Sequence, residues 1–154
     1  MVHFRQSSGQ IALFTLSLIN IAIAIYLTIV HYNTEVALVC SSSGLVNCEH
    51  VLSSYYASIP GTSIPISIAG ILWSIGGAAL AVIAWLVWPE KLIIRIAELA
   101  WAGVGMFSVF YLVYAEIVLL HAICLWCTAV HIIILLYLLI AAFLVYTSTT
   151  QEQY

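Results

Sequence analysis

Apolar residues run almost unbroken along four stretches of this chain, and polar residues gather between them. Ile11 to Val30 is nearly wholly apolar. At about 1.5 Å per residue it would cross the roughly 30 Å hydrocarbon core of a bilayer. A removable signal peptide, suggested by Ala22-Ile23-Ala24, fits less well, because that site lies inside the apolar run rather than after it. Further stretches run from about Ile66 to Trp88, Ile96 to Leu120 and Cys124 to Tyr146, with Pro89-Glu90-Lys91 as the turn after the second. The pattern predicts an all-α membrane protein, a four-transmembrane-helix bundle forming a single domain over residues 1–154.

The longest polar stretch, His31 to Pro65, carries Cys40, Cys48, Glu35, Glu49 and seven serines, and must lie outside the hydrocarbon. Within it Asn47 is placed to cap a short helix from Cys48 to about Ser58. Val51, Leu52, Tyr55, Tyr56 and Ile59 recur there at i, i+3, i+4 spacing, the stripe of a helix lying on the membrane surface or lidding the bundle. Pro60-Gly61 ends it. Gly70, Gly76, Gly77, Gly103 and Gly105 read as packing residues that let membrane helices approach closely.

Composition agrees with the pattern. Hydrophobic residues make up 65% of the chain and charged ones 6%, against about 25% charged in soluble domains. The solvent of this chain is therefore membrane lipid. Only three Lys/Arg are present, which excludes a basic nucleic-acid surface. Arg5 precedes the first span, and Lys91 and Arg95 sit between the second and third, so both termini are expected to be cytoplasmic. That orientation puts the Cys40/Cys48 loop and the start of the fourth span on the extracytoplasmic side, where disulfides persist.

Four cysteines then carry the chemistry. Cys40 and Cys48 lie in the polar loop, and Cys124 and Cys127 form a Cys-Leu-Trp-Cys pair opening the last span, so they read as two dithiol/disulfide couples. Cys124 and Cys127 share one face near a helix N-terminus, where unsatisfied N–H groups favour a thiolate. Cys40, in flexible Ser/Gly sequence with Gly44 nearby, is the natural contact for an outside thiol. An outer mobile pair and an inner pair at membrane depth make a relay, since disulfide exchange moves two electrons between adjacent couples. No Gly-x-Gly-x-x-Gly or Cys-x-x-Cys-His motif supplies a terminal acceptor, and an apolar carrier in the bilayer, a quinone, fits the depth of Cys127. His131 follows Cys127 by four residues on the same face and could bond a quinone oxygen or stabilise the thiolate; the alternative is a bundle histidine bonded to a carbonyl. Glu116 and His121 are candidates for proton uptake or ligand contact, or simply interface residues. Two rival functions remain open on these residues: a structural zinc-binding membrane subunit using the cysteines with His50, His121 or His131, and a small transporter stapled by disulfides.

Cys40, Cys48 with Val51-Leu52-Ser53-Ser54-Tyr55-Tyr56-Ala57, Pro65-Ile66-Ser67 leading to Gly70, and His121-Ala122-Ile123-Cys124-Leu125-Trp126-Cys127 form an ordered set. Together they resemble the vitamin K epoxide reductase family, particularly its prokaryotic members. The likeness covers about residues 10 to 146. It implies a four-helix bundle around a quinone (menaquinone, ubiquinone or a related compound), lidded by the loop helix, in a prokaryotic plasma or inner membrane. It further implies that Cys40 exchanges with a thioredoxin-like extracytoplasmic dithiol protein, that Cys48 passes electrons to Cys124, and that Cys127 reduces the quinone. Carrying the pocket over by offset suggests Leu52, Tyr56, Trp73 and Leu120 as apolar neighbours of the ring. Vertebrate members have an asparagine at the start of span two and a tyrosine four residues after the final cysteine, where this chain has Ile66 and His131. That difference points to ordinary quinone reduction rather than epoxide chemistry. With eight residues after Tyr146, no fused thioredoxin-like domain is expected, so the partner is expected to be a separate protein.

Overall fold

A computed structural model describes residues 2–33, 36, 38–40, 44–87 and 91–152, with the side chains of 2–6 and 151–152 outside that description. Glu35, the serines at 41–43, Trp88 and the Pro89-Glu90 turn, along with the side chain of Arg5, lie outside the described residues. Four long helices form the body: α1 (Val2–Tyr32), α3 (Ile66–Val82, continuing to Val87), α4 (Leu92–Tyr114, continuing to Leu119) and α5 (Leu125–Glu152), with the short α2 (Cys48–Leu52) in the first loop. Each of the four is long and apolar enough to cross a bilayer. The helices run past the apolar stretches: α1 takes in His31, and α4 begins at Leu92 rather than Ile96. Backbone hydrogen bonds must be satisfied within a helix at membrane depth, so helices extend until polar flanks or water can take over.

Polar and small residues hold the spans together, as expected where lipid supplies no drive for apolar association. Between α1 and α3, Asn20 Nδ2 donates to Ser74 Oγ at 2.7 Å, and the hydroxyls of Thr28 and Ser67 lie 2.8 Å apart. Between α3 and α4 the contact is reciprocal. Trp73 Nε1 donates to the Trp101 carbonyl at 3.0 Å and Trp101 Nε1 to the Trp73 carbonyl at 2.9 Å. Each indole lies over a glycine: a Cβ on Gly76 would come within 2.5 Å of Trp101, and one on Gly105 within 2.6 Å of Trp73. Gly9 meets Leu144, so the N-terminal end of α1 and the C-terminal end of α5 share one end of the bundle. The cysteines occupy the other.

Three expectations need correction. Arg95 does not serve as a loop charge: it lies inside α4, 2% exposed, facing the fully buried Glu98 at 3.6 Å, because α4 starts a turn early and carries it into the bundle. The lid helix is capped as expected, with Asn47 Oδ1 accepting from the His50 N–H at 3.0 Å. It stops at Leu52, however, and resumes as a single 3-10 turn over Tyr55–Ala57. Ser53 and Ser54 end it by turning their hydroxyls back onto the carbonyls of His50 and Val51, the usual competition of serine with the helix ladder. Third, α5 begins at Leu125, leaving Cys124 just outside it.

Candidate functional site

The loop before α2 and the segment before α5 are stitched side by side, and this brings the cysteines together. Asn47 N–H donates to the Ile123 carbonyl at 3.1 Å and Ile123 N–H to the Leu45 carbonyl at 2.8 Å, a parallel bridge centred on Val46 and Ile123. Cys48 and Cys124 follow this bridge on the two strands of backbone and share one buried cluster with Val51 and Ala122. Pro60-Gly61 closes the lid at its far side. Gly61, at φ +79°, occupies the position of a type II turn that needs a residue without a side chain, and Ile59 N–H bonds the Ile64 carbonyl across it.

Cys40 and Cys48 are joined by a disulfide with Cα atoms 6.2 Å apart, while Cys124 and Cys127 are free thiols. Exposure falls along the set and then opens inward. Cys40 is half-buried, Cys48 is 1% exposed and Cys124 0%, whereas Cys127 borders an internal cavity. Cys124 takes the place of a helix cap: its sulfur accepts the Cys127 N–H at 3.3 Å, as a serine or aspartate oxygen would at that position. Hydrogen bonding from the Cys127 thiol, with help from that N–H, outweighs burial and holds the Cys124 thiol below the usual cysteine range. A thiol so biased is the better nucleophile of the pair near neutral pH.

Trp126, between the two cysteines, reaches back to the loop. Its Nε1 donates to the Val39 carbonyl at 3.0 Å, and its ring lies 5.0 Å from that of Tyr26, whose hydroxyl takes the Val39 N–H at 3.1 Å. The segment entering Cys40 is thereby clamped between α1 and α5.

The cavity has a volume of about 340 Å³, within the range of small-molecule sites. Leu52, Tyr56, Ile66, Trp73, Leu120 and His131 all line it, together with Cys127. Two of the lining residues each carry a buried polar atom with no hydrogen-bond partner among the described residues: His131 Nε2 and Asn20 Oδ1. The amide orientation of Asn20 follows from its neighbour, because Ser74 Oγ already donates to the Gly70 carbonyl at 2.8 Å and must accept from Asn20. A buried polar atom without a partner is costly. The role of Asn20 at the cavity depends on Ser74, 54 residues away.

Glu116 also lines the cavity and is 5% exposed, inside the bundle rather than at its interface. The last turn of α4 widens to π geometry over Ala115–Leu119, a feature that recurs at functional sites. Ala122 N–H returns to the Glu116 carbonyl at 3.0 Å, and His121 adopts the left-handed conformation, φ +50°, that reverses the chain toward Cys124. His121 itself is exposed. No group of three or more His, Cys, Asp and Glu side chains converges as a metal site among the described residues, and the loop disulfide ties up two of the thiolates a four-cysteine centre would need.

The sequence profile described as the vitamin K epoxide reductase family matches residues 11–142. No curated protein matches the chain.

Proposed function

The chain belongs to the vitamin K epoxide reductase family and is a membrane oxidoreductase, and from that membership we propose a thiol–disulfide oxidase whose electrons end on a quinone. Cys40/Cys48 reoxidise a thioredoxin-like dithiol protein, and Cys124/Cys127 receive the two electrons. The observation that carries this reading is the graded placement of the four sulfurs, from half-exposed Cys40 through buried Cys48 and Cys124 to Cys127 at the cavity wall. Electrons entering as a mixed disulfide at Cys40 reduce the Cys40–Cys48 bond. Cys48, beside Cys124, then opens the Cys124–Cys127 bond by the same exchange. A quinone bound in the cavity supplies a two-electron, two-proton acceptor. His131 Nε2 donates to a quinone oxygen, Asn20 Oδ1 accepts an O–H of the hydroquinone product, and Leu52, Tyr56, Ile66, Trp73 and Leu120 exclude water from the ring.

Lys91 lies at the opposite end of the bundle from the cysteines, which supports placing the cysteine end extracytoplasmic and both termini cytoplasmic. The test follows quinone absorbance in purified, detergent-solubilised protein after addition of dithiothreitol or a reduced thioredoxin-like protein. Cys127→Ala is expected to abolish the signal, and full turnover in that variant would remove Cys127 from the role assigned to it.

A further inference from the structure

Glu116 stands where the inner dithiol meets the cavity. Its Oε2 accepts the Cys124 N–H at 3.4 Å, and Cys127 lines the same cavity. Burying a carboxyl in an apolar bundle is costly, and here the N–H that compensates it belongs to the redox pair itself. The π turn, the left-handed His121 and the return of Ala122 N–H to the Glu116 carbonyl fix both its backbone and its side chain at this spot.

Closing the Cys124–Cys127 bond breaks two S–H bonds and releases two electrons and two protons. The electrons go to the quinone of the proposed function, on which this inference rests. The protons must leave sulfur inside a water-poor site. We propose that Glu116 is a catalytic residue of this step: its carboxylate takes the proton from Cys127 Sγ as that sulfur gives up electrons, and holds it at the cavity wall for transfer to the acceptor. Once discharged, the carboxylate takes the second proton from Cys124, whose N–H already bonds it. The sum is dithiol plus quinone giving disulfide plus hydroquinone. Cys124 meets Glu116 from just before α5, and Cys127 and His131 of α5, Tyr56 of the lid and His31 of α1 line the same cavity. All of these remain in a Glu116 variant, so the difference between the two proteins isolates the carboxyl.

Glu116→Gln keeps an oxygen for the Cys124 N–H and removes the proton acceptor. The first readout needs no quinone: the rate of N-ethylmaleimide alkylation at Cys127, mapped by mass spectrometry against pH. The native protein is expected to show an inflection that Glu116→Gln lacks. The second is single-turnover oxidation of the pre-reduced protein by a menaquinone or ubiquinone analogue. The variant is expected to be roughly a hundredfold slower, the size of a lost general base, with unchanged quinone affinity. An identical alkylation profile together with an unchanged rate would overturn the proposal, as would weakened binding with a full rate at saturation. If Glu116→Gln does not fold, Glu116→Asp decides, since it must keep the inflection for the proposal to stand. If the native protein reduces no quinone at all, the acceptor is wrong, and the alkylation comparison still decides whether Glu116 handles the Cys127 proton.

Discussion

Each end of this bundle buries a carboxyl group, and the two are satisfied in opposite ways. At the end away from the cysteines, Glu98 is fully buried, takes a hydrogen bond from Gln10 Nε2 at 3.0 Å and faces the Arg95 guanidinium at 3.6 Å. Leu13, Tyr137, Ala141 and Leu144 pack the same region into a closed core. At the cysteine end, Glu116 takes a hydrogen bond from the Cys124 N–H, beside a cavity that Cys127 also lines. Arg95 and Glu98 belong to one helix, and the Gln10 bond ties that carboxyl to α1 within closed packing. Glu116, held by the Cys124 N–H at a cavity that Cys127 also lines, is placed where a proton can be passed on. Burial alone therefore does not mark a functional acid in a membrane bundle; what lies beside the carboxyl does.

The largest effect that would sharpen this contrast is at Arg95. Arg95→Met removes the cation and leaves Glu98 buried without it, a change expected to cost about 3–5 kcal/mol of stability. Thermal unfolding in detergent measures it, and quinone reduction per folded molecule should stay at the native rate. Glu116→Gln should do the reverse, losing rate with little loss of stability. If Arg95→Met slowed turnover instead of unfolding the protein, the division of labour between the two carboxyls would be wrong.

A smaller effect is expected where the two regions meet, at the Trp73/Trp101 exchange. Gly105→Ala would drive a methyl to within 2.6 Å of Trp73 Cζ2, and the ring cannot swing away without losing its 3.0 Å bond to the Trp101 carbonyl. Overpacking of this kind costs about 1–3 kcal/mol. Because Trp73 also lines the cavity, the KM for quinone should rise while electron entry at Cys40 is unaffected. A lower melting temperature with an unchanged KM would show that the indole's packing and its place on the cavity wall are independent.

Much of this architecture was legible along the chain. Long apolar runs mark the spans because the bilayer demands them, Asn47 and Pro60-Gly61 carry local signals for a cap and a turn, and cysteine spacing is a local signal too. What the chain could not display are the contacts made across it. Arg95 reads as a loop charge until Glu98 and Gln10, the latter 88 residues from Glu98, draw it inside. Glu116 sits near a span end, and only the π turn and the Cys124 N–H show that it points inward. The six residues assigned to a pocket do line one cavity, yet the orphaned oxygen of Asn20 emerges only with Ser74 in place.

Trp126 offers the finest test, because it belongs to the inner motif and acts on the outer loop. Its Nε1 bond to the Val39 carbonyl spans 87 residues and fixes the residue next to Cys40. Trp126→Phe keeps a ring against Tyr26 and deletes only the donor. A hydrogen bond of this type contributes about 0.5–1.5 kcal/mol net, and Val39 is 76% exposed, so water takes over the carbonyl and the loss falls at the low end. Melting temperature should barely move. Reduction of the Cys40–Cys48 bond by a thioredoxin-like protein should change a few-fold, because the loop presenting Cys40 has lost a tether, while oxidation of pre-reduced Cys124/Cys127 by quinone keeps its rate. A slower quinone step with unaltered exchange at Cys40 would mean that Trp126 orders the start of α5 rather than the loop. The inner motif would then have no hold on the outer disulfide beyond the Val46/Ile123 bridge.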